Sequence, residues 1–400
     1  MTLDDLRHVD VAFVWRAGQP AATLRREPTG VRFAYLPGYT GPPVATTLPL
    51  TTGEVFTAGG ALPPFFTGLL PEGRRLRAIR TAVKTSADDE LTLLLAVGQD
   101  TVGDVQVLRE GAAPGAGEQP SFSPKPLGEV RFADLFRDVL AATPIDRTAI
   151  AGVQDKVSSA MISLPVTHRG AAWILKLNPP EHPHLVVNEA FFLEAARRSG
   201  LDVAHTELVH DPTGEPGLLV RRFDRTMAAG RLVSLPVEDA CQILGRYPAD
   251  KYRLTAEVVV QGLATRCGAP LVAARTLLQQ LAFAYITCNG DAHAKNFSVV
   301  HRDGEWWVAP AYDLPSSHPY GDTSMALSLC GKLREDIGRA DFLAAGEACG
   351  VPAKAVARVL DHLVAAAAQW LERLDELPFD PRRIHKLRQA CRYRVARLAR

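Results

Sequence analysis

The sequence predicts an α+β protein in two lobes, a small β-rich N-terminal part followed by a larger helical one. Three observations carry this. Residues 9–108 break into short β-branched and aromatic runs separated by turns, residues from 237 onward carry helical periodicity, and a Pro/Gly-rich stretch at 110–128 parts the chain between them. At 400 residues and 47% hydrophobic, the chain suffices for two or three domains with a sizeable core. We expect a β-rich subdomain at 1–110, a linker at 111–128, a nucleotide-binding region at 129–225 and a helical C-terminal lobe at 226–400.

The elements follow in order. Residues 11–15 and 31–35 read as strands. A basic helix is expected at 74–83 and a second at 86–97 with Ser86 as its N-cap, then a closing strand at 103–108. Beyond the linker, strands are expected at 157–164 and 172–177. A helix at 188–199 would be capped by Asn188 and stopped by Gly200, and a strand follows at 217–223. Long amphipathic helices are expected at 352–374 and 382–400.

Composition excludes several function classes. The formal charge is +1, from 45 basic and 44 acidic residues, so no general nucleic-acid-binding surface is indicated. The basic run at 382–388 reads foremost as the solvated face of a terminal helix. The N-terminus is acidic and lacks the apolar core of a signal peptide, and no apolar run is long enough to span a membrane. Six scattered cysteines without a Cys-x-x-Cys pair point to reduced thiols in a cytoplasmic protein.

The chemistry is concentrated in Asn289-Gly290-Asp291-Ala292-His293-Ala294-Lys295-Asn296 and, beyond a short strand, Ala311-Tyr312-Asp313. An aspartate, an asparagine five positions on and a second aspartate is the layout of a phosphoryl-transfer site. Asp291 can accept the proton of an attacking hydroxyl. Asn296 and Asp313 are hard oxygen donors for the Mg2+ that bridges nucleotide phosphates. The apolar run at 281–286 and the strand-like 297–300 place the motif on a tight loop between a buried helix and a strand. His293 fits a phosphate contact or a structural histidine equally.

Three upstream features extend the pattern. Ala151, Gly152, Val153, Gln154, Asp155 and Lys156 form a small-residue stretch whose backbone N–H groups can approach phosphate oxygens, although a hairpin connection fits it as well. Lys176 sits inside an apolar strand, with Glu189 on the next helix as its anionic partner. A lysine snorkelling from an edge strand is the even alternative. Arg221, Arg222 and Phe223 end a strand placed to serve as the hinge against an adenine ring. Each feature alone is ambiguous, but together they stand in the order that protein kinases use.

These motifs, with Phe65-Phe66-Thr67-Gly68-Leu69-Leu70-Pro71-Glu72-Gly73, Leu218-Leu219-Val220-Arg221-Arg222-Phe223-Asp224-Arg225, Glu238-Asp239-Ala240-Cys241-Gln242 and Lys251-Tyr252, resemble the HipA family over roughly residues 10–375. The resemblance implies a two-lobed, protein-kinase-like fold and an ATP- and Mg2+-dependent serine/threonine protein kinase. It further implies a toxin of a type II toxin–antitoxin pair that phosphorylates glutamate–tRNA ligase or another aminoacyl-tRNA synthetase and arrests growth. Its partner would be a HipB-like DNA-binding antitoxin, so that DNA is met only through that partner. Asp291 becomes the catalytic base. Residues 151–156, Lys176, Glu189, Arg221, Arg222, Phe223, His293, Lys295, Asn296, Tyr312 and Asp313 become the nucleotide and metal contacts. One departure stands out. Where the family commonly has an autophosphorylated serine before the loop, this chain has Ala149, with Thr148 beside it as the substitute candidate. Two other classes remain open: a small-molecule phosphotransferase of the aminoglycoside-kinase type, and a catalytically silent antitoxin-binding co-repressor.

Overall fold

A computed structural model describes residues 3–114, 129–135, 161–228, 230–334 and 336–400. The N-terminal part is a five-stranded antiparallel sheet in the spatial order Glu54–Ala58, Gly30–Tyr35, Gln19–Glu27, Val11–Arg16, Val105–Arg109. Val11–Arg16 alternates strictly between half-buried and buried side chains, the mark of a sheet with one covered face. The cover comes from helices Pro64–Gly68, Gly73–Ala82 and Glu90–Val97. Val14, Leu24, Phe33, Phe66, Leu91 and Leu94 share this core.

A second antiparallel sheet runs Ile162–His168, Ala171–Leu177, Pro216–Arg221, Thr206–His210. The helix Leu185–Arg198 covers one face, with Val186, Phe192 and Leu193 in one cluster with Leu218 and Val220. Phe132, Trp173, Leu175 and Leu219 form a separate cluster on the other. The C-terminal lobe is built around helix Pro270–Ile286, every residue of which from Leu277 to Ile286 is buried. A helix apolar on all sides is an interior helix. Helices Ala256–Ala264, Arg339–Ala348, Ala353–Leu371 and Pro381–Ala399 surround it. The α+β class in two lobes holds, and no described helix is long and apolar enough to cross a membrane.

Several boundaries differ from the sequence expectation. The helix expected from Ser86 begins at Glu90, because Asp89 is the residue whose side chain accepts from the Thr92 N–H. The helix expected from Asn188 begins at Leu185. Asn188 lies inside it, fully buried, and exchanges two hydrogen bonds with the Ser316 backbone. The strand expected to end at Phe223 ends at Arg221. The helical lobe also carries a small sheet, Val237–Asp239, Ser298–Arg302, Glu305–Val308, which brackets the catalytic motif. The expected linker is described only at 111–114, and the expected strand at 157–164 only from 161.

Candidate active site

The motif begins where helix Pro270–Ile286 runs out, at Cys288, whose φ of 55° turns the chain sharply. Gly290 is required by packing. A Cβ there would meet Ser317 Oγ at 2.7 Å, Asp322 Oδ2 at 2.8 Å and the Ser324 carbonyl at 2.8 Å. Its N–H donates to Ser317 Oγ. Asp291, buried, donates its own N–H to Asn289 Oδ1 at 3.0 Å, and its Oδ1 accepts from the Tyr252 hydroxyl at 2.6 Å. A single 3-10 turn, Ala294–Asn296, then hands the chain to strand Ser298–Arg302.

Opposite this loop, three charges meet. Lys176 Nζ lies 2.7 Å from Glu189 Oε1 and 3.0 Å from Asp313 Oδ1. Asn296 Nδ2 donates to Asp313 Oδ2 at 2.8 Å. Asp313 holds a left-handed φ of 56°, uncommon for a non-glycine residue and a known companion of functional sites. Burial works against ionisation of all three charged groups. Lys176 nonetheless stays charged, held by Asp313 and Glu189, and its ammonium holds Asp313 below the usual carboxylate range. Burial pushes Glu189 up to about 7, against the pull of Lys176. One cation thus faces two carboxyl groups, and the Glu189 Oε2 is buried without a hydrogen-bond partner among the described residues.

His293 stands edge-on to Tyr252, ring centroids 5.1 Å apart. Burial, with Lys251 adding to it, lowers its pKa to about 3, so the ring is neutral. Its Nδ1 is buried and has no partner among the described residues. Tyr312 is held by Ser298 Oγ at 2.5 Å and the Lys295 carbonyl at 2.9 Å, with the Phe223 ring 5.6 Å away.

The side chains of two of the expected residues face elsewhere. The Lys295 ammonium points to the N-terminal subdomain, 3.1 Å from Glu72 Oε1 and 3.0 Å from the Gly68 carbonyl. The Arg222 guanidinium bonds Asp100 at 2.7 Å, Asp224 at 2.8 Å and the Thr101 carbonyl. Its backbone N–H donates to Ala172, and that of Arg221 to His205. Residues 148 and 151–156 lie outside the described residues.

Sequence reasoning assigned no role to Tyr252 or Glu72. Glu72 also pairs with Lys251, and its two lysines hold its carboxyl down, at about 2, despite burial. Both residues sit in segments singled out for their resemblance, but no local pattern says that a residue 39 positions before Asp291 reaches its carboxylate.

The donor set bears on a metal. No group of three or more His, Cys, Asp and Glu side chains among the described residues forms a metal cage. Asp313 instead offers a carboxylate, and the Asn296 side chain, bonded to it through Nδ2, carries an amide oxygen. That suits Mg2+, which keeps waters and takes its remaining ligands from phosphates.

With this geometry in view, the comparisons fall into place. The HipA-like C-terminal domain matches residues 148–371, more than half of the chain, and the HipA N-terminal domain matches residues 12–108. The chain belongs to the HipA family. A putative kinase of Sinorhizobium fredii, Y4mE, is 33% identical over 80% of this chain and 82% of its own length. The serine/threonine-protein kinase toxin HipA of Shewanella oneidensis is 28% identical over 72% of this chain and 70% of its own. The solved structure of a Shewanella oneidensis HipA with HipB and operator DNA superposes with a TM-score of 0.75, covering 97% of each chain at 22% identity, a likeness of fold.

Proposed function

We propose that this HipA-family protein is an ATP-dependent serine/threonine protein kinase, a toxin held by a HipB-like antitoxin and directed at a translation component, glutamate–tRNA ligase or another aminoacyl-tRNA synthetase. The observation that carries the phosphotransfer reading is Lys176 bridging Glu189 and Asp313 at 2.7 and 3.0 Å, with Asn296 on the other oxygen of Asp313. A strand lysine, a helix glutamate and a metal aspartate in contact form the arrangement in which a kinase holds nucleotide phosphates. The kinase relatives, and the solved complex of a HipA with HipB and DNA, support the type of activity and of partner.

In this reading Asp291 orients the attacking hydroxyl and takes its proton, while Tyr252 fixes the carboxylate rotamer. Lys176 neutralises the α- and β-phosphates. The unpartnered, neutral His293 Nδ1 is free to meet a phosphate oxygen through a bound water or a proton it acquires there. Phe223 and Tyr312 supply apolar surface beside the hinge for the adenine ring. Asn296 and Asp313 would hold Mg2+, which supplies charge neutralisation at the transferred phosphoryl group. Residues 151–156 complete the phosphate cradle, and the domain limits 1–110, 129–225 and 226–400 are taken as its working parts. Thr148 is modified weakly or not at all.

The test is transfer of labelled γ-phosphate from ATP with Mg2+, comparing wild type and Asp291→Asn, with purified aminoacyl-tRNA synthetases and lysate proteins as acceptors. One labelled synthetase, lost in the variant, is the expected result. Label on a small molecule alone, or no label at all with ATP still bound, overturns the protein-kinase reading. Abundant phospho-Thr148 in a peptide map overturns the statement about that residue.

A further inference from the structure

Helix Pro381–Ala399 contains no acidic residue, and its cations divide into two sets. Arg383, Arg388 and Arg392 pair with Asp380, Asp375 and Glu372 at 3.1, 2.7 and 3.2 Å. Arg382, Lys386, Arg394 and Arg397 have no carboxylate partner among the described residues. Arg394 is 2% exposed, and its guanidinium donates only to carbonyls, Tyr285 at 2.9 Å and Thr323 at 2.6 Å, while lying 5.0 Å over the Tyr285 ring. A buried guanidinium without a carboxylate partner is expensive, and carbonyl oxygens at the C-terminal end of helix Pro270–Ile286 offset only part of that cost.

Two of these, Lys386 and Arg394, line the same cleft, a space of about 390 Å³ between this helix and the segment after Asp313. His318, Thr323, Gln389, Ala390 and Tyr393 complete the lining, and no acidic side chain does. Burial, with the Arg394 and Lys386 charges adding to it, lowers the His318 pKa. Hydroxyl, amide and imidazole groups beside two fixed cations are the donors that phosphoryl oxygens accept from.

We propose that this cleft binds a small anionic ligand bearing phosphoryl groups, at a site separate from the one around Asp313. Its volume is at the lower end for small-molecule sites and admits a few phosphoryl groups rather than a duplex. The site is wired to the catalytic loop. Arg394 holds the carbonyl of Tyr285, in the last turn of the helix that leads to Asp291, and His318 follows Ser317, whose Oγ accepts from the Gly290 N–H. A ligand here braces the segment behind that loop. The binding itself stands whether or not the chain transfers phosphate.

The experiment is calorimetric titration of the full chain with pyrophosphate at low salt, in wild type, Lys176→Ala and Lys386→Glu. Lys386 is exposed, so its variant is expected to fold, which a thermal melt checks. The expected result is one equivalent bound by Lys176→Ala and at least one by wild type, with affinity at this cleft at least ~10-fold weaker in Lys386→Glu. No binding by wild type overturns the proposal. Equal affinity in wild type and Lys386→Glu also does so, because pyrophosphate then sits elsewhere, and loss in Lys176→Ala would locate it around Asp313. Displacement of pyrophosphate by stoichiometric duplex DNA of arbitrary sequence would make the cleft a nucleic-acid contact instead.

Discussion

The junction between the N-terminal subdomain and the hinge, and the cluster around Asp313, are both buried networks of opposite charge, yet among the described residues only the first is complete. At the junction, Arg222 and Arg225 each bond both Asp100 and Asp224, two cations against two anions. The Gly103 N–H and the Thr101 and Gly103 carbonyls take the remaining positions. Around Asp313, among the described residues, one lysine faces two carboxyl groups, and a glutamate oxygen and a histidine nitrogen are left without partners. A balanced buried network fixes geometry, whereas an unbalanced one carries a cost that protonation, as at Glu189, or a bound cation can offset. The difference separates the residues that hold the lobes from those that meet substrate, and it can be tested from both sides.

The largest effect falls on the incomplete side. Asp291→Asn keeps the shape of the side chain and an oxygen for Tyr252 but removes the base. Phosphate transfer should fall ~10²–10⁴-fold, with the unfolding midpoint and ATP affinity nearly unchanged. Turnover comparable to wild type would remove Asp291 from the reaction.

On the complete side, Asp224→Ala leaves two buried guanidinium groups short of an anion and should cost about 3–5 kcal/mol of stability, measured by urea denaturation. Transfer by the folded fraction should stay close to wild type. Arg222 is the residue on which this comparison can fail. If Arg222→Met lowers ATP affinity without lowering stability, its guanidinium serves the nucleotide and not the junction.

Glu72 lies between the two regions, reaching from the N-terminal subdomain to Lys251 and Lys295 beside the catalytic loop. Its carboxyl is depressed to about 2, so its contribution to stability is fully present above the unfolded value near 4.5 and is lost as pH falls towards 2. Partial exposure reduces that contribution to about 1–2 kcal/mol. In Glu72→Gln the stability difference from wild type should be greatest near neutral pH and vanish at about pH 2. A difference independent of pH would mean that packing, not charge, links the subdomain to the loop.

The incomplete side was far more legible in the sequence than the complete one. Asp291, Asn296 and Asp313 lie within one stretch of chain, and Lys176 and Glu189 announce themselves as charges in apolar segments, so their meeting followed from order along the chain. The junction joins Asp100 to Arg222 and Thr46 to Glu238, pairs more than a hundred residues apart with no motif to mark them. Arg222 sits in a recognisable hinge whose backbone groups are expected to meet the nucleotide. The backbone position was legible, whereas the direction of the side chain depends on a subdomain whose docking no local pattern encodes. Helix starts were misread for a related reason. Ser86 and Asp89 are both capable caps, and Asp89 caps this helix while its carboxylate also takes Arg26 and Thr85.

Tyr252 gives the smallest effect and the finest test. Its hydroxyl donates to Asp291 Oδ1 at 2.6 Å, and the His293 ring packs against its face. Tyr252→Phe keeps the ring, and with it the packing of His293, and deletes one hydrogen bond to a charged group, worth about 1.5–3 kcal/mol when fully expressed. Because Asp291 retains the Asn289–Gly290 scaffold, part of that is recovered by a modest rotation of the carboxylate. We therefore expect kcat to fall ~5–20-fold, with the KM for ATP unchanged, since Tyr252 touches the base and not the phosphate-binding Lys176. A change in KM with kcat preserved would place Tyr252 with the ligand-holding residues. No change in either would mean that the loop, anchored through Gly290 to Ser317, positions Asp291 without it.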